Sequence, residues 1–181
     1  MQDDVVIVDY NPAWPKMYEQ EKARIQEAIG EYLVDIQHVG STSIPGLGAK
    51  PIIDILPVIR DVALVKHCVQ PLALLDYAYF GEHGIPHRYY FRKPADITTQ
   101  PRTFHLHVLE KGHDQWRMML LFRDYLRSHP KTAQQYDALK RELATKFGSD
   151  RVGYTDAKES FVKSILHAAI VEGTHEKKER L

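Results

Sequence analysis

The segment His38–Leu56 constrains the fold of this chain more than any other. A strand-like run ends at Gly40-Ser41, a loop of small residues follows, and an almost wholly apolar strand then carries one carboxylate, Asp54. A charge inside an apolar strand is costly unless it is paired, hydrogen-bonded or bound to a metal ion. The Gly-Ser turn offers backbone amides, a hydroxyl and room for close approach, as phosphate groups require. The segment therefore predicts a site that handles a nucleotide or another phosphate.

Composition narrows the class of protein. Lys and Arg together number 24, as do Asp and Glu, so the formal net charge of the 181 residues is zero. This balance argues against a general nucleic-acid binder but allows a local basic pocket. A single cysteine, Cys68, excludes an internal disulfide and suits a reducing compartment. No apolar run approaches the roughly 20 residues of a membrane span, and the acidic start Met1–Val5 is unlike a signal peptide. We therefore expect a cytoplasmic protein without membrane association.

Hydrophobic periodicity and turn residues predict an α+β fold with a mixed sheet of about five strands. The predicted extended segments are 5–8, Leu33–Val39, Ile52–Ile59, Tyr77–Phe80, Arg88–Arg92 and Thr103–Leu109. The predicted helices begin at Asn11-Pro12, Val62, Asp114, Pro130 and Asp156, the last with a capping box to Glu159. We expect a core in residues 1–112, C-terminal helices packed on it in 113–181, and a charged tail, 172–181, that frays.

His105 and His107 lie two residues apart in a predicted strand and therefore share a face. If this strand neighbours the strand of Asp54, both imidazoles face the same pocket. A carboxylate with one or two imidazoles suits Zn, Mn or Fe better than Mg, and the histidines are also suited to binding phosphate or to acid–base catalysis. The alternatives are a solvent-exposed histidine pair, and an Asp54 that caps the loop or pairs with Lys50.

Basic residues lie between these two motifs along the chain. Lys50, Arg88 and Arg92 are candidates for neutralising phosphate, because a guanidinium fork binds phosphate through two hydrogen bonds. The alternative for the two arginines is a solvated strand edge. For Lys158, four residues after Tyr154, the alternatives are a contact with phosphate and a place at the surface, and we expect the surface.

The central motif HVGSTSIPGLGAKPIIDI is similar to the signature of the GrpB-like family, a branch of the nucleotidyltransferase superfamily. Further similar segments are Tyr10–Trp14, Arg88–Phe91, His105–Val108, Phe122–Arg127 and Tyr154–Lys158, so the resemblance covers nearly the whole chain. It implies a nucleotidyltransferase-like core. It also implies that a nucleotide or phosphorylated small molecule is the ligand or substrate, with a divalent metal ion (Mg, Mn or Zn) as cofactor.

The resemblance assigns roles to individual residues. The turn residues Gly40, Ser41, Thr42 and Ser43 would contact phosphate, Asp54 and His107 would hold a metal ion, and His105 would complete the catalytic set. Active nucleotidyltransferases usually carry two acidic residues on this strand, but Ile52 stands here at the first position. The alternative is a catalytically inactive module with a ligand-binding, regulatory or folding-assistance role, since similar domains occur fused to dephospho-coenzyme A kinase.

Overall fold

A computed structural model of the chain describes residues 5–96, 98 and 100–179, and for 174–179 the backbone only. The strands in these residues are β1 (Leu33–Val39), β2 (Ile53–Ile59), β3 (Ala78–Tyr79), β4 (Tyr89–Lys93) and β5 (Phe104–Glu110). The α-helices are α1 (Trp14–Ile29), α2 (Val65–Leu74), α3 (Asp114–Ser128), α4 (Pro130–Phe147), α5 (Arg151–Ala157) and α6 (Glu159–Glu179). The predicted α+β class, with a mixed sheet and a helical C-terminal part, is confirmed.

The five strands form one sheet in the order β1-β2-β5-β4-β3. Strand β2 runs antiparallel to β1 and parallel to β5, and β4 runs antiparallel to both β5 and β3. The register places Asp54 beside Val39 on one side and beside His105 on the other. This register brings the two sequence motifs to adjacent strands.

One face of the sheet is covered by α1 and α2. The core on this face includes Ile25 and Ile29 of α1, Leu72 of α2, and Ile55 and Leu106 of the sheet. These side chains are fully buried, and each fully buried aliphatic side chain contributes about 1.5–3 kcal/mol to stability. The hydrophobic runs of β2 and β5 are explained by this burial.

The opposite face is covered unevenly. Helix α3 packs its Trp116, Met119 and Leu120 on an apolar patch of the strands, which consists of Val39, Leu56, Val58 and Leu109. Asp54, His105 and His107 belong to the same face, because side chains alternate along each strand. They lie beyond this patch, and the remaining space above them is bounded by the loop after β1 and by the C-terminal helices.

The C-terminal helices pack against the loop after β1 and donate hydrogen bonds to it. Ile44 and Leu47 of this loop pack among apolar residues of the helices, namely Leu126, Ala133, Tyr136 and Ile165. The Arg127 guanidinium donates two hydrogen bonds to the Ser43 carbonyl, at 3.0 and 2.7 Å. The Lys140 ammonium donates to the carbonyl of Gly48. These contacts fix the loop between the sheet and the helices.

Several element boundaries differ from the predictions. Helix α1 begins at Trp14, because Asn11 closes a preceding turn by accepting a hydrogen bond from the Ala13 N–H. The helix predicted from Asp156 is α6, which begins three residues later at Glu159, so the predicted capping box at Asp156 is wrong. Asp156 lies in α5, a helix that was not predicted, which begins at Arg151 and is capped by the Asp150 carboxylate accepting from the Gly153 N–H. The acidic start at 1–4 and the tail residues 180–181 lie outside the described residues.

None of the helices in the described part of the chain combines the length and the apolar character that crossing a membrane demands.

The turn after β1 depends on a glycine. Gly40 has φ +70° and ψ −175°, a conformation that is essentially restricted to glycine. A Cβ built on Gly40 would lie 2.5 Å from the Asp54 Oδ2 atom. The turn and the carboxylate are therefore packed against each other, and Gly40 is required both for the backbone conformation and for space.

Replacing Gly40 should cost more than replacing another glycine of the same loop. Gly46 has φ +77° but no heavy atom within 4 Å of a built Cβ. We expect Gly46→Ala to lower the free energy of unfolding by about 1–2 kcal/mol through backbone strain alone. Gly40→Ala adds the clash with Asp54 and should lower it by about 3 kcal/mol or more. Urea denaturation measures both values, and equal losses would contradict the proposed contact.

Candidate functional site

Asp54 is held by two imidazoles from the neighbouring strand. The Nε2 atom of His107 lies 3.0 Å from Asp54 Oδ1, and the Nδ1 atom of His105 lies 3.4 Å from the same oxygen. Burial alone would raise the pKa of Asp54, but the interactions with His105 and His107 outweigh it and hold this pKa well below its usual range. Asp54 is therefore an anion at neutral pH.

The outer nitrogens of the two imidazoles are without hydrogen-bond partners. Among the described residues, His105 Nε2 and His107 Nδ1 are buried and unpaired. Tyr90 of β4 packs beside both rings, with centroid distances of 5.3 Å to His105 and 5.6 Å to His107. Burial lowers the pKa of His105, although the Asp54 carboxylate opposes this effect. A neutral imidazole oriented by a carboxylate is suited to accepting a proton from a bound group.

A cavity of about 230 Å³ lies between Asp54 and the C-terminal helices. Its lining includes the turn residues Gly40, Ser41 and Thr42, the sheet residues Asp54 and His105, and the aromatic residues Phe122, Tyr136 and Tyr154. Three lysines also line it: Lys50 from the loop, Lys140 from α4 and Lys158 from the end of α5. Among the described lining residues, Asp54 is the only carboxylate.

Nearby carboxylates balance little of the positive charge on the three ammonium groups. Lys140 is buried and lies 3.9 Å from Asp137, while Lys50 and Lys158 are partly buried. Within the described residues, neither Lys50 nor Lys158 forms an ion pair with a carboxylate. Both lie over the Tyr154 ring instead, at 5.3 and 4.1 Å from its centroid. The cavity therefore carries an excess of positive charge.

The pKa values of the lysines reflect this crowding. Burial, together with the nearby Lys158, Arg141 and Lys50, lowers the pKa of Lys140 to about 7, although Asp137 opposes it. Burial and the nearby Lys50 lower the pKa of Lys158 to about 8, against the attraction of Asp54. Burial also lowers the pKa of Lys50. An anion in the cavity would favour the charged form of all three groups.

Two of the turn residues predicted to contact phosphate form hydrogen bonds within the protein instead. The Thr42 hydroxyl lies 3.0 Å from His38 Nε2, and the Ser43 hydroxyl donates to the Gly40 carbonyl at 2.6 Å. Ser43 is also absent from the cavity lining, whereas Ser41 lines the cavity and faces Tyr136. Burial raises the pKa of the Tyr136 phenol, so the phenol keeps its proton. Ser41 and Tyr136 are the hydroxyl groups best placed to meet a ligand.

The structure does not bring Arg88 and Arg92 to this cavity. They share the strand face of Tyr90, as expected, but the Arg88 guanidinium donates to the carbonyls of Glu82 and His83. The Arg92 guanidinium lies over the Phe80 ring, 4.3 Å from its centroid. Arg92 therefore stacks on a ring that follows β3, whereas Arg88 lies over the Tyr90 ring of β4, 5.6 Å from its centroid.

Sequence reasoning missed several cavity residues on the C-terminal helices. Lys158 was expected at the surface but lines the cavity, and Lys140, Tyr136 and Tyr154 were not singled out. The signals in the sequence were the four-residue spacing of Tyr154 and Lys158 and the resemblance of this segment to the family. Nothing in the spacing of Lys140 within α4 indicated that it would be buried against the Gly48 carbonyl.

The donor set does not fit a two-metal centre. Such a centre requires several anionic oxygens around ions about 3.5–4 Å apart, but Ile52, two residues before Asp54, offers no carboxylate, and Oδ1 of Asp54 faces both imidazoles. Across the described residues, no three or more His, Cys, Asp and Glu side chains are grouped to hold a metal ion. His107 contacts Asp54 but is not among the residues that line the cavity.

Comparison with known proteins identifies the family. The model of the GrpB protein family matches residues 4–168. The chain is 38% identical over 160 residues to UPF0157 protein YqkA of Bacillus subtilis, covering 88% of this chain but only 46% of that protein. It is 36% identical over 165 residues to the glutamate-rich protein GrpB of Alkalihalophilus pseudofirmus, covering 91% and 95% of the two chains. The chain thus spans about half of the first relative and nearly all of the second.

A solved structure and a more distant relative complete the comparison. The crystal structure of the conserved protein GrpB from Enterococcus faecalis has a TM-score of 0.82 and 34% identity, covering 92% of this chain and 98% of that one. A dephospho-CoA kinase of Mycolicibacterium paratuberculosis is 26% identical over 187 residues, covering 91% of this chain and 46% of that protein. The extent of the family match and of the similarity to these relatives shows that the chain belongs to the GrpB family.

Proposed function

We propose that this protein binds a nucleotide or a similar phosphorylated small molecule, with the phosphate groups in the cavity between the sheet and the C-terminal helices. The observation that carries the proposal is the convergence of Lys50, Lys140 and Lys158 on a space with one lining carboxylate, Asp54. Partly desolvated ammonium groups are costly to hold together without an anion. A phosphate would offset both the desolvation and the mutual repulsion of the lysines.

The neutral donors around the cavity support the same ligand. The Ser41 hydroxyl and the protonated phenol of Tyr136 are suited to donate hydrogen bonds to phosphate oxygens. The backbone of Gly40 carries no side chain that would obstruct close approach. The lysines would supply positive charge, and the hydroxyls would donate hydrogen bonds in fixed directions. Together they would favour phosphate over a carboxylate of the same charge.

A transfer reaction would use the outer nitrogen of His105, the imidazole of the pair that lines the cavity. An imidazole that contacts Asp54 on one side is suited to take a proton from an attacking hydroxyl on the other. No step of this proposal passes through a metal ion, because the residues do not fit a two-metal centre.

A second candidate is a binding module without catalysis, and the apolar Ile52 at the first of the two expected carboxylate positions favours it. The similarity to a dephospho-CoA kinase suggests a regulatory or folding-assistance role beside another enzyme. Incubation with nucleoside triphosphates, with and without Mg²⁺, Mn²⁺ or Zn²⁺, separates the candidates. Release of pyrophosphate or phosphate identifies an enzyme, and binding without turnover identifies a module.

Removing one cavity lysine should weaken phosphate binding. We expect Lys158→Met to weaken the binding of tripolyphosphate, measured by calorimetry in EDTA, by about 10- to 100-fold, because a hydrogen bond to a charged group contributes roughly 1.5–3 kcal/mol. The matched control is Lys163→Met, whose ammonium is exposed and pairs with Glu159 at 2.7 Å. Its affinity should stay within about twofold of the wild type. Equal effects of the two substitutions, or no binding by the wild type, would contradict the proposal.

Phosphate binding should weaken as the pH rises. With pKa values of about 7 and about 8, Lys140 is already mostly neutral at pH 7.5 and Lys158 loses its charge as the pH rises to 9.5, so a bound anion must restore both charges by proton uptake. ATP is a suitable probe because a phosphate monoester loses its last proton near pH 6. We expect its affinity to fall by at least about tenfold over these two pH units.

Calorimetry in two buffers of different ionisation enthalpy measures the proton uptake directly. Lys158→Met should take up fewer protons than the wild type, since one of the two titrating groups is removed. An affinity that does not change with pH would show that these lysines do not contact the anion.

A further inference from the structure

A second, apolar recess adjoins the lysine cavity. It encloses about 270 Å³ and is bounded mainly by α3 and α6. Its lining consists of Gly40, Gln115, Met118, Met119, Phe122, Val162 and Leu166. Two of these residues, Gly40 and Phe122, also line the lysine cavity. The two spaces therefore share a boundary, formed by the turn after β1 and the Phe122 ring.

The chemistry of the recess is unlike that of the lysine cavity. No charged side chain is among the described residues that line it, and its surface is formed by two thioethers, a phenyl ring and two aliphatic side chains. Met118 is 48% exposed, which is high for a large apolar side chain on a helix. Thioether sulfur and aromatic rings make favourable contacts with the faces and edges of planar ring systems.

Gln115 adds a polar group to this surface. Its amide oxygen is buried and has no hydrogen-bond partner among the described residues. Buried polar atoms in folded proteins nearly always have a partner, so such an oxygen calls for one. An N–H donor at the edge of a ligand in the recess would supply it, whereas an alkyl chain would leave the oxygen unpaired.

We propose that the recess of Gln115, Met118 and Phe122 binds the nucleobase of a nucleotide whose phosphates occupy the lysine cavity. This inference rests on the proposed phosphate binding and specifies its ligand as a nucleotide. A base presents a planar face to Met118 and Phe122 and an N–H edge to the Gln115 amide oxygen. The Gly40 backbone lies where the sugar would pass between the two spaces.

Calorimetry with ATP, GTP, CTP, UTP and tripolyphosphate in EDTA at pH 7 tests the inference. We expect at least one nucleotide to bind at least tenfold more tightly than tripolyphosphate, because only the nucleotide fills the apolar recess. Octyl phosphate should gain much less over inorganic phosphate, since its chain offers no donor to Gln115. Nucleotides that bind no more tightly than tripolyphosphate would overturn the inference but leave the phosphate site intact. Absence of binding by both would overturn the proposed function as well.

Two variants distinguish contacts with the base from contacts with the phosphates. Gln115→Met keeps the length of the side chain but removes the amide, and it should weaken the preferred nucleotide about threefold to tenfold, the worth of one hydrogen bond. Met118→Ala should also weaken the nucleotide by at least threefold, and both variants should bind tripolyphosphate as the wild type does. Gln135→Met, on an exposed face of α4, is the matched control.

The test compares the loss of nucleotide affinity with the loss of tripolyphosphate affinity in each variant. Loss of nucleotide affinity with tripolyphosphate affinity unchanged supports a base in the recess. Unchanged nucleotide affinity in both variants, or equal losses for nucleotide and tripolyphosphate, would overturn it. Thermal unfolding of each variant shows whether the fold is retained.

Discussion

The negative charge of a carboxylate in an interior strand of a sheet must be balanced by its neighbours, and much of the site follows from how this chain balances Asp54. The parallel pairing of β2 and β5 places His105 beside Asp54, and the two-residue repeat of the strand brings His107 to the same face. The apolar patch covered by α3 ends before these residues, so the charged group is left beside a cavity. Gly40 is required at the turn because any side chain there would meet the carboxylate.

The lysines impose a second constraint, which comes from the C-terminal helices. Lys140 is on α4 and Lys158 is at the end of α5. Packing of α4 on the loop after β1, and of α5 on α4, brings both ammonium groups to the space above Asp54. Burial of one lysine with two others nearby lowers its pKa and the stability of the ligand-free protein. Such an arrangement is typical of sites where a ligand supplies the missing charge.

The strand-based part of the site could be predicted from the sequence. The Gly-Ser turn, the isolated Asp54 and the spacing of His105 and His107 depend on strand periodicity, which is a local property of the chain. The helical part could not be predicted in the same way. Lys140 is about 90 residues from Asp54 along the chain, and its burial results from tertiary packing. Arg88 and Arg92 have the expected face, but Arg88 packs on the Tyr90 ring and Arg92 on the Phe80 ring, and neither lines the cavity.

The central claim is that Asp54 is the one negative charge among the described residues lining a cationic, anion-binding cavity. Binding of tripolyphosphate to the wild type and to Asp54→Asn, measured by calorimetry in EDTA, tests it most directly. The account predicts that the variant keeps its fold and binds the anion more tightly, because removing the carboxylate removes a repulsion. Weaker binding by the folded variant would contradict the account, since Asp54 would then be needed to hold the ligand.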